Sequence, residues 1–129
     1  MKHLAIFKGS GAEKILSGEK SIESRFSKSK IPPFGVISSG DLVYIKSSGK
    51  DIIGQFRVKK VIFLDGLTLD DVLDVKKRFE KQLSVDESYW KDKENSKFGT
   101  LIFIGNSTRF LTSPIKIPKK DLRGWVVLG

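Results

Sequence analysis

At 129 residues and 14.5 kDa the chain has room for one domain, spanning 1–129, with a core that needs neither disulfide nor metal. The absence of cysteine excludes disulfides and thiolate chemistry, and His3 as the sole histidine leaves no ligand set for an ordinary zinc site, so no metal and no cofactor are expected. A formal charge of +9, with most of the excess before about residue 60, points to a polyanionic partner; the bland alternative is a solvated lysine-rich surface.

Leu4 to Phe7 reads as a short buried strand ended by Lys8-Gly9-Ser10-Gly11. The start of the chain has too short an apolar run for a signal peptide, and no stretch approaches the ~20 apolar residues of a membrane span, so a cytoplasmic protein without membrane contact is expected. A helix follows: Ser10 and Glu13 have capping-box spacing, Ala12, Ile15 and Leu16 make one apolar face, and Gly18 is placed as the stop. Amides of Gly9, Ser10 and Gly11 at that helix start, with Lys8 and Lys14 near, form a candidate anion site, or simply a turn that caps the helix. The spacing matches neither a P-loop nor a dinucleotide fingerprint.

The next strand, Ser21 to Arg25, carries the densest chemistry. Alternation turns Ile22 to the core and puts Glu23 and Arg25 on the other face, roughly 6.5–7 Å apart at Cα and within reach of an ion pair. Lys20 sits at the turn, where Gly18 lets it swing towards them. Phe26 to Gly40 is polar, basic and proline-punctuated, a long loop whose Lys28 and Lys30 lie just beyond the motif strand.

Leu42 to Lys46 and Ile52 to Phe63 read as a β-hairpin about Ser47-Ser48-Gly49-Lys50. Gln55, Arg57 and Lys59 give its second strand a basic outer face, the phase change at Lys59-Lys60 suggests a bulge, and Gly54 marks a bend. Thr68 caps the clearest helix, with Leu69, Val72, Phe79 and Leu83 as its stripe and three aspartates placed to offset the dipole. Ser84 to Glu87 has a second capping-box pattern, opening a short helix that carries Tyr89 and Trp90 to about Glu94. Thr100 to Gly105 and Arg109 to Ile117 read as a strand pair turning at Asn106-Ser107, with Pro114 limiting the second to an edge. Lys119 to Gly124 is a basic turn into a last strand, Trp125 to Leu128. The expected fold is α+β and mainly β: a small barrel of five or six strands with two or three peripheral helices.

The octet Gly18 to Arg25, spaced G-x-K-x-x-E-x-R, resembles the ASCH family of PUA-like domains, small β-barrels whose relatives handle RNA or modified nucleosides. Gly40-Asp41-Leu42-Val43-Tyr44 is similar to the segment that begins the family's barrel, and Arg123-Gly124-Trp125-Val126 to its closing strand, so the likeness spans nearly the whole chain.

Three functions compete. The first is a module that binds RNA or a nucleotide, with Lys8, Lys20, Arg25, Arg57 and Lys59 on phosphates, Glu23 orienting the ligand, and Trp90 or Tyr89 as a stacking face. The structural alternative makes Trp90 core. The second is an enzyme on modified nucleosides or RNA, an amidohydrolase or ribonuclease, with Lys20 and Glu23 as catalytic candidates. One branch related to the family cleaves an acyl group from modified cytidine with its motif lysine, a threonine three residues later and a distant glutamate. Here that position is Glu23, whose carboxylate favours a charged ammonium on Lys20, the wrong direction for a base or nucleophile. The third is structural: the three charges tie strand to helix.

Overall fold

In the computed structural model, residues 1–113 and 123–129 are described. In chain order the elements are β1 (Lys2–Phe7), α1 (Gly11–Ser17), β2 (Ile22–Ser27), β3 (Leu42–Ser47), β4 (Ile52–Asp65), α2 (Leu69–Leu83), α3 (Glu87–Asp92), β5 (Phe98–Arg109) and β6 (Trp125–Val127). The strands form one sheet in the order β2-β5-β4-β3-β1-β6. Among the described residues only β1 and β3 run parallel; the other pairs are antiparallel. The sheet curls into a half-barrel, so that Arg25 of β2 reaches the carbonyls of Ile6 and Gly124 beside β1 and β6. This is a mainly β architecture with three helices among the described residues.

Alternation explains how the sheet is buried. On β3, Val43 and Ile45 join Ala5, Phe7, Phe56, Val58, Ile102 and Trp125 in an inner cluster that Ala12 and Ile15 of α1 plug. Leu42 and Tyr44 point the other way, against Leu4, Ile6 and Ile52. With both faces covered, a near-continuous apolar run is what β3 requires. A third cluster places Val72, Val75 and Leu83 of α2 and Trp90 of α3 over Ile22, Phe26 and Leu101. The register slips at Phe56/Val58 and at Val58/Lys60, the second at the Lys59-Lys60 bulge that the sequence phase suggests. Gly54 answers to close approach: a Cβ there would press on the Thr108 carbonyl and on Leu16.

A polar lock closes one end. His3, fully buried, has Nε2 2.8 Å from Asp41 Oδ2, and its Nδ1 accepts from the Trp125 indole at 3.1 Å. Because Nδ1 accepts, the ring proton lies on Nε2 and is donated to Asp41. Burial works against the Asp41 carboxylate, but hydrogen bonds from His3, the Ser38 amide and the N-terminal ammonium outweigh it and hold the carboxyl below the usual aspartate range.

Several local expectations are corrected. Gly18 does end α1 in the left-handed region, φ 84°, but Ser10, at φ −83° and ψ 6° and not extended, makes no side-chain cap, and Glu13 pairs with Arg109. Thr68 and Asp71 form the capping box of α2, whereas Leu69 is 47% exposed and Val75 takes its place in the stripe. Asp86, not Ser84, caps α3; Ser84 is the left-handed end of α2. No turn interrupts Asn106-Ser107, since β5 runs on to Arg109 alongside β4. The expectations for residues 114–117 and 119–122 lie outside the described residues.

Candidate functional site

The sheet's two ends meet without a backbone ladder: among the described residues no main-chain hydrogen bond joins β2 to β1 or β6. Arg25 spans this seam. Its Nη1 donates to Gly124 O at 2.9 Å, Nη2 to Ile6 O at 3.3 Å, and Nε to Glu23 Oε2 at 2.9 Å. The guanidinium also lies 4.8 Å from the centre of the Phe7 ring and 5.3 Å from that of Trp125. Gly124 is what allows the approach, since a Cβ there would stand 3.0 Å from Nη1.

Glu23 is shared. Its Oε1 is 3.2 Å from Lys20 Nζ, and its side chain is 7% exposed against 3% for Lys20 and 20% for Arg25. Lys20 Nζ donates as well to the Leu83 carbonyl at the C-terminus of α2, where the helix dipole favours a cation. The Ser21 amide donates to Gln82 O and Lys14 Nζ, from α1, to Ser84 O, so α1 and the turn before β2 together satisfy three carbonyls at the end of α2. Lys20, Glu23 and Arg25 are therefore brought together as the sequence predicts. They form a buried chain of charge running from α2 to the seam.

Beside them lies a cleft of about 1380 Å³, larger than the 300–1,000 Å³ usual for a small-molecule pocket and open along the seam. Its basic lining residues are Lys8, Lys14, Lys20, Arg25, Lys93 and Arg123, against Glu23, Asp86 and Asp92 as acids. Tyr89 and Ser24 line it together, their hydroxyls 2.6 Å apart, with the phenol also donating to Ser24 O at 3.2 Å. Burial, and after it the Glu23 carboxylate, pushes the Tyr89 phenol up, so it stays protonated at any physiological pH.

The other predicted residues fall differently. Lys8 is exposed and lies on the cleft with Gly9, Ser10 and Gly11, while Lys14 is turned to Ser84 and Glu19. Arg57 and Lys59 are exposed on β4 and do not line the cleft; Arg57 donates to its neighbour's carbonyl, Gly40 O, at 3.2 Å. Trp90 offers no stacking face. It is 3% exposed, packed edge-on against Phe26 and Tyr89 in the helix-to-sheet core. Sequence reasoning missed Lys93, Ser24 and the apolar Ile31-Pro32-Pro33 lining. Lys93 had no signal of its own, because its place depends on where a short helix docks. Among the described residues no group of acids or histidine is placed to hold a metal ion, and no helix is long and apolar enough to cross a membrane.

This half-barrel is the fold of ASCH domains. The chain is similar to the crystal structure of ASCH from Zymomonas mobilis, with a TM-score of 0.66 at 18% identity over 84% of this chain and 69% of that one. A point-mutant form of the same protein gives 0.67 at 18% identity over 84% and 70%. A solved structure described as a hypothetical protein gives 0.57 at 20% identity, covering 81% of this chain and 97% of that one. No family profile and no curated protein sequence matches the chain.

Proposed function

We propose that the seam cleft binds single-stranded RNA or a nucleotide. The observation that carries this is the charge of the concave surface: six basic residues line it against three acids. A concave cationic surface concentrates a phosphate chain and gains by releasing its counterions. The ASCH fold is in keeping with such a ligand. In this reading Lys8, Lys93 and Arg123 meet phosphates, and Arg25 offers the N–H groups that its bonds to Glu23, Ile6 and Gly124 leave over. Lys20 and Glu23 hold Arg25 and the end of α2 in place. Lys20 is 3% exposed and its ammonium is already held by the Leu83 carbonyl and Glu23, so we place the binding module ahead of the hydrolase.

Titration of labelled single-stranded RNA at several salt concentrations tests the reading. Each neutralised phosphate contributes roughly −0.7 to the log-log slope, so three to five contacts give about −2 to −3.5. A salt-independent interaction, or none at low ionic strength, contradicts it.

A further inference from the structure

We propose that the turn Ile31-Pro32-Pro33 is the base-contacting wall of the cleft, so that the ligand is a nucleotide with an unpaired base and not a phosphate chain alone; this rests on the cleft binding a polyanion. The sequence directs attention to Lys28 and Lys30 in this loop. The structure turns Lys30 away, with its ammonium 3.9 Å from Asp65 and 5.5 Å from the centre of the Phe98 ring, and presents Ile31, Pro32 and Pro33 to the cleft instead.

Three features suit this turn to a base. Ile31 is 54% exposed, an apolar surface left facing water beside a cationic lining. The turn is held from behind: Phe34 packs edge-on against Phe63 and Phe98, with centroids 5.5 and 5.3 Å away, and Ile37 is 2% exposed. Main-chain bonds Phe34 N to Ile31 O, 3.0 Å, and Val36 N to Pro33 O, 3.1 Å, fix its shape. Proline rings have no rotamers to lose on binding, so a flat base meets a pre-formed surface. The rings that would otherwise serve are occupied. Trp90 is in the core, and Tyr89 packs on Trp90 while Lys93 lies 5.4 Å from its centroid. Lysines for the phosphates and an apolar wall for the base fit a single strand, whereas a duplex keeps its bases stacked inside.

The test compares a uridine octamer with an abasic ribose-phosphate octamer of equal charge, on the parent chain and on Ile31→Ser. The parent should bind the uridine octamer about tenfold more tightly, and Ile31→Ser should remove most of that preference while leaving abasic affinity unchanged. Equal affinity for the two octamers in the parent, or equal weakening of both by Ile31→Ser, overturns the base wall while the polyanion cleft stands. Failure of both octamers to bind at low salt overturns the cleft as well.

Discussion

Arg25 and Arg57 are both strand arginines that donate to a main-chain carbonyl, yet they occupy different mechanical situations. Arg57 lies in the middle of the sheet, where β3 and β5 already hold β4 on either side. Arg25 stands at the seam, where no main-chain ladder spans the gap among the described residues and a side chain does the joining. An arginine on a strand thus contributes according to what else holds its neighbours. The same comparison separates framework from binding surface: at the seam Lys20 and Glu23 are buried and engaged, while the remaining N–H groups of Arg25 and the exposed lining of the cleft are left to meet a ligand.

The sharpest way to break the comparison is at Glu23. Glu23→Ala leaves the Lys20 ammonium buried without its carboxylate and Arg25 without its Nε partner, and should cost about 3–5 kcal/mol in urea unfolding, the range for removing one member of a buried pair. A loss under about 1 kcal/mol would mean that the triad behaves as a solvated surface pair. Next in size is Arg25→Ala, expected to cost about 2–3 kcal/mol through three charge-assisted bonds and ring packing, against at most about 0.5 kcal/mol for Arg57→Ala. A double-mutant cycle between Glu23 and Arg25 should show coupling of about 1 kcal/mol or more, while Glu23 and Arg57 should add. Equal costs at the two arginines would remove the distinction.

Asp41 gives a smaller effect that extends the comparison to acid. Its folded carboxyl is held below the ordinary aspartate value of 3.8, so its contribution is complete above that pH and is lost as pH falls through the lower folded value. Asp41→Asn should lower stability at neutral pH and flatten the fall below about pH 4 seen in the parent. A parallel fall in both proteins would show that the lock with His3 and Trp125 carries no proton linkage.

Much of this frame was legible in the sequence because it follows from period and punctuation. The strand read at Ser21 to Arg25, the stop at Gly18, the hairpin after Lys46 and the Thr68 cap all depend on neighbours within a few residues. Glu23 and Arg25 were legible as a pair for the same reason. What escaped depends on contacts distant in the chain: Glu13 leaves its cap for Arg109, Lys20 is drawn to the end of α2 63 residues away, and Arg25 reaches Gly124 across 99. Trp90 shows the limit from the other side. An aromatic pair on a short helix has the same composition whether it faces solvent or core, and docking of α3 on Phe26 decides it. The basic outer face of β4 was read correctly as exposed, but strand period cannot say that the concave surface would form at the seam instead.

The most direct measurement is the salt dependence of single-stranded RNA affinity in three proteins: the parent, Lys8→Ala with Lys93→Ala, and Arg57→Ala with Lys59→Ala. With two phosphate contacts removed from the cleft, the log-log slope should shrink by about 1.4 in the first pair, and the second pair should track the parent. A slope that shrinks in the β4 pair and holds in the cleft pair would contradict the account, placing the nucleic acid on the open face of the sheet.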